Sequence, residues 1–169
     1  MQKIFLLLAS SFLLASCAGG PPLKTVPSVD LTRYSGTWHE IARYPNWFQR
    51  NCAGQVTAEY LPAQDGSLTV RNACTRKDGS VESVKGRATV VPGSGNARLK
   101  VSFGGPFAGD YQIIGLDPDY QWALVGHPSR RYLWILARSP RISEKLTSRI
   151  VHLAVEQGYD AGRIVRTAP

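Results

Sequence analysis

Alternating apolar and polar positions run through most of the chain after residue 35. In the first such stretch, residues 36–45, Trp38, Glu40, Ala42 and Tyr44 share one face, a period of two that is typical of a β-strand. Seven more stretches with the character of strands follow at short intervals. They cover residues 55–61, 68–74, 81–91, 98–103, 111–116, 121–126 and 132–138.

The connections between these stretches are too short to hold helices. Asp65-Gly66 and Asp78-Gly79 are dipeptides typical of tight hairpin turns. Because parallel strands need long crossover connections, strands joined in this way predict an antiparallel sheet. Eight strands are also the number at which such a sheet can close around one small ligand. The pattern therefore predicts a mainly β fold, an eight-stranded antiparallel up-and-down β-barrel.

Helical periodicity appears only near the C-terminus. Ser139-Pro140 offers an N-cap followed by proline at the first helical position, and Gly158 is suited to end the helix. Residues 163–165 are predicted to form a short final strand. The apolar residues that recur at spacings of three and four are Ile142, Leu146, Ile150, Leu153 and Ala154. This one-sided pattern predicts one amphipathic α-helix packed against the outside of the barrel.

The first 16 residues have the three-part layout of a secretory signal. Lys3 precedes an almost unbroken apolar run, and small residues lead to Cys17. The run is short for a membrane-spanning helix, which is the alternative. Residues 14–17, Leu-Ala-Ser-Cys, resemble a bacterial lipobox, and this resemblance implies cleavage before Cys17 and acylation of its thiol and amino group. We predict a signal peptide over 1–16, a lipidated flexible tether over 17–29 and one folded domain over 30–169.

Lipidation at Cys17 changes the expected location of the protein. Two or more acyl chains anchor a protein stably, whereas one holds it only marginally. Ala18, rather than aspartate, follows the cysteine. By the same resemblance, this implies the bacterial outer membrane, with the lipid-anchored domain facing the periplasm.

The remaining cysteines, Cys52 and Cys74, predict one disulfide, because an exported protein with two further cysteines normally oxidises them. Two buried thiols are the alternative. The three histidines, His39, His127 and His152, do not stand at ligand spacing from either cysteine, so we expect no metal.

The net charge of +8 is spread along the chain and forms no basic run or helical stripe. An exported protein with this distribution is better suited to a negatively charged membrane or ligand than to nucleic acid, which we do not expect as a partner. The glycine-rich residues 104–109 lack the Gly-Lys-Ser/Thr of a phosphate-binding loop, and no helical pattern follows them. We expect no cofactor.

Three short motifs stand in order along the predicted strands. They are Gly36-x-Trp38 at the start of the first strand, Asp117-x-Asp119-Tyr120 between the sixth and seventh, and Arg138 at the end of the eighth. Their order and spacing resemble those of the lipocalin family. Together with the lipobox, they resemble the outer-membrane lipoprotein lipocalins of bacteria, relatives of apolipoprotein D. The resemblance covers residues 31–165.

The resemblance implies a barrel that is closed at one end and open at the other. Trp38 would lie beneath the cavity, and Arg138 would lie across its indole ring in a cation–π contact. Both residues would therefore be structural and would not contact ligand.

Strand alternation, counted from Trp38 and Arg138, gives the residues expected to face the cavity. They are Glu40, Ala42, Tyr44, Val56, Ala58, Tyr60, Leu68, Val70, Val101, Phe103, Tyr111, Ile113, Trp122, Leu124, Tyr132 and Trp134. Core packing is the alternative for each of them, and a bulge would reverse a whole face. Such a lining of apolar and aromatic side chains suits an acyl chain.

Loops at the open end would bring cations beside exposed aromatic residues. Arg130 and Arg131 are the cations expected to contact ligand, and Trp47, Phe48 and Phe107 are the aromatic residues. This combination suits an anionic amphiphile, with its tail inside and its head group outside. Ordinary surface charge is the alternative.

We therefore expect a protein that binds, stores or carries a small amphipathic ligand, either a fatty acid or a lysophospholipid. Its other partner would be the membrane, through the anchor, and it would be a monomer or a homodimer. Two alternatives remain. A lipid-modifying enzyme would use Glu40, the only carboxylate placed inside, which has no evident histidine partner. A passive envelope lipoprotein would bind nothing.

Overall fold

Nine strands form one antiparallel sheet that closes on itself in the computed structural model, which describes residues 21–169. The strands are β1 Gly36–Arg43, β2 Cys52–Pro62, β3 Leu68–Arg76, β4 Val81–Val90, β5 Arg98–Ser102, β6 Gly109–Leu116, β7 Trp122–Gly126, β8 Leu133–Ala137 and β9 Val165–Arg166. The helices are α1 Leu31–Tyr34, α2 Glu144–Glu156 and two 3₁₀ turns, Trp47–Gln49 and Ala161–Arg163. The predicted signal peptide and Cys17 lie outside the described residues.

The strands from β2 to β8 pair in sequence order, and β1 lies between β8 and β2. The first half of β1, residues 36–39, pairs with β2, while Ala42 and Arg43 near its end pair with the short β9. The predicted barrel of eight antiparallel strands and one outer helix is therefore confirmed. The short final strand predicted at residues 163–165 is β9, which begins two residues later and pairs with one edge of β1.

Two apolar clusters separate the inside of the barrel from its outside. The inner cluster contains Trp38, Val70 and Leu99, and the outer cluster lies between the barrel wall and α2, around Ile135 and Ile150. Because β7 and β8 contribute to both clusters, these two strands are buried on both faces.

The helix α2 begins four residues later than the sequence suggests. Ser143, rather than Ser139, is the N-cap, and its Oγ accepts a hydrogen bond from the Leu146 N–H at 3.2 Å. Glu144 then lies in the first turn, where its negative charge interacts favourably with the helix dipole and stabilises the helix. Gly158 follows the helix end at φ +85°, as predicted for a glycine in this role.

The Cys52–Cys74 disulfide joins β2 to β3, with a Cα–Cα distance of 5.6 Å. It lies towards the end of the barrel at which the chain passes from β1 to β2. The predicted pairing is confirmed.

The residues just before the barrel differ from the predicted flexible tether. Residues 21–29 run along the outer wall, with Leu23 and Val29 buried. Val26 N–H donates to the Ile113 carbonyl at 3.0 Å, and Val29 N–H donates to the Gly95 carbonyl at 2.8 Å. This strap could not be predicted, because it is held by backbone hydrogen bonds and by contacts with residues distant in sequence, such as Gln157, and none of these produces a local periodicity.

No helix within residues 21–169 has the length and apolar character needed to cross a membrane. Over the same range, no group of His, Cys, Asp and Glu side chains could hold a metal ion.

Candidate ligand cavity

The barrel is closed at the end where β1 begins. Arg138 places its guanidinium 3.8 Å from the centre of the Trp38 ring, and Tyr34 packs on the same indole with ring centres 4.9 Å apart. The indole N–H donates to the Tyr34 carbonyl at 2.8 Å. Trp38 is therefore fully covered, and the cation–π contact expected from the resemblance is present.

Arg138 also binds the chain segments that surround it. Its guanidinium donates to four carbonyl oxygens, and those of Thr37 and Ser35 lie at 2.9 Å. Gly36 has φ +92°, a conformation that favours glycine, and a Cβ at this position would lie 3.5 Å from the guanidinium. The first and third motifs thus build one closed end.

The second motif forms the turn between β6 and β7 beside Arg138. The Asp117 carboxylate accepts hydrogen bonds from the N–H groups of Asp119 and Gln121, at 3.1 and 3.2 Å. The hydroxyl of Tyr120 accepts from the Asp30 N–H at 2.9 Å, which attaches the turn to α1. Asp117 and Tyr120 are structural, because their side chains satisfy backbone groups at the closed end.

Three tyrosine hydroxyls meet inside the barrel above Trp38. The Tyr34 and Tyr111 oxygens are 2.7 Å apart, and the Tyr60 hydroxyl donates to Tyr111 at 2.9 Å. Tyr34 and Tyr60 are buried, whereas Tyr111 is partly exposed. The triad therefore fills the interior near the closed end, and the part of the barrel between the triad and the open end is called the upper interior below.

Removing the central hydroxyl should destabilise the barrel. In Tyr111→Phe, the buried hydroxyls of Tyr34 and Tyr60 lose their shared partner, so we expect the free energy of unfolding to fall by about 1–3 kcal/mol. Urea unfolding measures the change. The matched control is Tyr132→Phe near the open end, which should change stability by less than about 0.5 kcal/mol. Equal effects of the two variants would contradict a stabilising triad.

The triad should also make stability depend on alkaline pH. Burial raises the pKa of Tyr60 to about 12 and raises the pKa of Tyr34 and Tyr111 well above the usual value. An unfolded tyrosine ionises near pH 10, so the unfolded state releases protons first and stability falls between about pH 10 and 12. Tyr60 alone should lower the free energy of unfolding by about 3 kcal/mol once the pH has risen to about 12.

Urea unfolding at a series of pH values measures this slope. Tyr60→Phe should flatten the slope relative to the parent protein. A slope that is the same in Tyr60→Phe and in the parent would show that burial of Tyr60 does not control the alkaline transition.

Nine of the predicted ligand-contacting residues do lie on the inner face. They are Glu40, Val56, Ala58, Tyr60, Val70, Phe103, Tyr111, Ile113 and Trp134. Phe103 is 42 % exposed, and Val84, which pairs with the inward Asn72, is 44 % exposed. These two apolar side chains face inwards and remain accessible to solvent, beside the edge of β4 that β5 leaves unpaired.

Four predicted lining residues, Ala42, Tyr44, Trp122 and Leu124, lie on the outer face instead, in the cluster beneath α2. In β1 a bulge between Glu40 and Ala42 reverses the alternation, so that Arg43 faces inwards opposite Trp134.

In β7 the residues on both faces are apolar, so the sequence pattern does not distinguish the inner face of this strand from the outer face. Trp122 pairs with the outward Ala137, and Ala123 pairs with the inward Leu136. The inward residues of this strand are therefore Ala123 and Val125.

A buried polar network surrounds Glu40, whose side chain is 3 % exposed. Its carboxylate accepts hydrogen bonds from Arg43 at 2.7 Å, from Gln49 at 2.6 Å and from the Thr167 hydroxyl. Gln49 in turn accepts from the Trp134 indole N–H at 3.1 Å. With three donors, Glu40 holds β1, the 3₁₀ turn and the C-terminal residues together.

Gln49 and Thr167 were not predicted, and nothing in the sequence marks them. Asn72 could have been found, because it shares the inward alternation of Leu68 and Val70. Among the described residues, two buried side-chain atoms have no hydrogen-bond partner, the Nε of Arg43 and the Oδ1 of Asn72. Both belong to inward-facing residues, so the upper interior is apolar but not exclusively so.

The two cations predicted to contact ligand differ in their positions. Arg131 is exposed in the loop between β7 and β8 at the open end. Arg130 instead donates to the Gln157 carbonyl at the end of α2, at 2.7 Å, and to the Pro21 carbonyl. The carbonyls at the end of a helix lack partners within the helix, and Arg130 donates to one of them. The Arg130 guanidinium is therefore directed towards α2 and does not contact the cavity.

Together these features define a class of protein, a small antiparallel barrel with one sealed end, one open end and an accessible apolar interior. A family model described as a lipocalin-like domain matches residues 29–169. The outer membrane lipoprotein Blc of Vibrio cholerae is 38 % identical over 168 residues, which cover 98 % of this chain and 97 % of that protein. Blc of Escherichia coli K12 is 39 % identical over 160 residues, covering 92 % and 90 %.

The chain belongs to the lipocalin family, whose members are in general binding proteins for small hydrophobic ligands. Apolipoprotein D of Rattus norvegicus is a more distant relative, 28 % identical over 163 residues, covering 91 % of this chain and 82 % of that protein. The solved structure of insecticyanin from Manduca sexta superimposes with a TM-score of 0.71 at 21 % identity, over 88 % of this chain and 85 % of that one. That likeness supports the fold alone.

Proposed function

We propose that the barrel binds one single-chain amphipathic lipid, a fatty acid or a lysophospholipid, and stores or carries it at the bacterial envelope. The tail lies in the upper interior, and the head group lies at the open end. The observation that carries this proposal is the accessible apolar lining above the tyrosine triad, of which Phe103 and Val84 are the most exposed members.

The size of the upper interior favours a single acyl chain. The strand β3 extends six residues from Val70, near the triad, to Arg76 at the open end. This length corresponds to a depth of about 15 Å once the strand tilt is included. An eight-stranded barrel is just wide enough for one small ligand. Each buried methylene contributes about 0.8 kcal/mol to the free energy of binding, so even a partly inserted acyl chain contributes several kcal/mol.

Polar groups near the top of the interior support an amphipathic ligand over a purely apolar one. Arg43 faces inwards with its Nε unpaired, and Arg131 and Arg50 are exposed at the open end. A carboxylate or phosphate head group is the acceptor that guanidinium groups bind best.

The Blc relatives are named outer membrane lipoproteins, and the lipobox-like residues before Cys17 agree with those names. These names support the proposal that acyl chains on Cys17 hold the protein at the periplasmic face of the outer membrane. The three hydrogen bonds to Glu40 favour binding over catalysis, because the only interior carboxylate predicted from sequence is already engaged.

Two alanines on neighbouring strands provide a matched test. Ala58 faces the interior from β2, opposite Trp38 at the base of the cavity, and Ala73 faces outwards from β3. Ala58→Trp should displace two or three methylenes of the tail and cost about 2 kcal/mol, which weakens lysophospholipid binding about 30-fold.

Fluorescence titration with a lysophospholipid measures the affinity of each variant. Ala73→Trp should bind as the parent protein does. If Ala58→Trp binds with unchanged affinity, the tail does not occupy the interior and the proposed function is wrong.

A further inference from the structure

Exposed aromatic side chains gather at the open end of the barrel. Trp47, Phe48 and Phe107 are 71, 49 and 85 % exposed, and Val81 beside the loop between β3 and β4 is 72 % exposed. Trp47 and Phe48 belong to the 3₁₀ turn after β1, and Phe107 belongs to the loop after β5. Large apolar side chains clustered in this way mark an interaction surface.

The charges of the open end are predominantly positive. Its four loops, residues 45–51, 77–80, 103–108 and 127–132, contain the cations Arg50, Lys77, Arg130 and Arg131, and the single carboxylate Asp78. That carboxylate accepts hydrogen bonds from Ser80 within its own turn. The turns at the closed end instead contain Asp65, Asp117 and Asp119. Aromatic residues among cations are typical of proteins that contact anionic lipid surfaces.

The strap shows which end of the barrel the N-terminus leaves from. Near the closed end, the backbone of Val29 is hydrogen bonded to Gly95. Midway along the barrel wall, the backbone of Val26 is hydrogen bonded to Ile113. At the other end, the Pro21 carbonyl accepts a hydrogen bond from Arg130, in the loop between β7 and β8. The chain therefore reaches Pro21 beside the open end.

Chain length then restricts where a membrane anchor can lie. Cys17 precedes Pro21 by four residues, which span at most about 14 Å when fully extended. The barrel is about 25–30 Å tall, judged from the 11 residues of β2 and the usual strand tilt. An anchor at Cys17 therefore reaches the lipid surface from the open end, and it is too short to hold the closed end against that surface.

We propose that the open end of the barrel docks on the bilayer that holds the acyl chains of Cys17. Trp47, Phe48 and Phe107 enter the interfacial region, and Arg50 and Arg131 contact anionic head groups. This inference rests on the lipid anchor of the proposed function. It gives the ligand a direct route, because a lipid can pass between the bilayer and the interior without crossing water.

Labels at the two ends of the barrel test this orientation. Phe107→Cys and Leu61→Cys, both at exposed apolar positions, are labelled in the lipidated protein with an environment-sensitive fluorophore. The protein is placed in vesicles of phosphatidylethanolamine and phosphatidylglycerol that contain a lipid-borne quencher. We expect strong quenching at position 107 and none at position 61, near the closed end of β2. Equal quenching at both positions, or quenching only at position 61, would overturn the proposal.

Two controls separate this proposal from the function on which it rests. Intact mass confirms the acyl chains, and Cys17→Ser should release the protein from the vesicles. If the anchor is present but position 107 is not quenched, docking fails while the anchor stands. If the purified protein carries no acyl chains, both the anchor and the docking proposal fail. Lysophospholipid affinity in detergent-free solution is measured separately, so the binding function is judged independently of orientation.

Discussion

Replacing Trp38 with alanine should lower the free energy of unfolding by about 3–5 kcal/mol, the largest effect we expect from one side chain. The indole is fully buried beneath Tyr34 and Arg138, and its N–H is hydrogen bonded. Alanine would leave a cavity that the closed sheet cannot fill by collapsing. Denaturant unfolding measures the loss.

Trp47→Ala provides the matched control, because Trp47 is 71 % exposed at the open end. It should change stability by less than about 1 kcal/mol. Arg138→Ala should also lower the free energy of unfolding, because it removes the cation–π contact and leaves four carbonyls without their donor. Similar losses in Trp38→Ala and Trp47→Ala would contradict a closed end built on Trp38.

Removing the disulfide with Cys52→Ser and Cys74→Ser should have the second largest effect. The bond closes a loop of 22 residues. The entropy of the unfolded chain then predicts a loss of about 3 kcal/mol. The midpoint of urea unfolding should fall accordingly, and a reducing agent should shift the parent protein to the same midpoint.

The double variant itself should not respond to the reducing agent, which controls for other effects of reduction. Because the bond ties β2 to β3 near the open end, its removal should leave the packing of Trp38 intact. A parent protein whose midpoint is unaffected by full reduction would show that the disulfide contributes no stability.

The barrel could be predicted because its determinants are local. Strand alternation and Asp-Gly turns located the eight strands, and the disulfide followed from export and an even number of remaining cysteines. These signals depend on residues that are close in sequence or on simple counting. The closed end was implied instead by the resemblance of Gly36, Trp38 and Arg138 to the lipocalin motifs.

The inner face could be predicted only in part, because bulges and covering elements are not local. The bulge after Glu40 reverses Ala42 and Tyr44, and no residue in the stretch marks it. Trp122 and Leu124 lie beneath α2, so the outer face of β7 is as apolar as the inner one. Arg130 pairs with a helix end that is distant in sequence.

Native mass spectrometry tests the central claim most directly, since it counts the lipids bound to each barrel. With a lysophospholipid supplied at the concentration that half-saturates the parent protein, about half of the parent and Ala73→Trp chains should carry one lipid, whereas an affinity about 30-fold weaker leaves only a few per cent of the Ala58→Trp chains loaded. Retention of the lipid by Ala58→Trp, or failure of the parent protein to bind it, would contradict a ligand held in the upper interior.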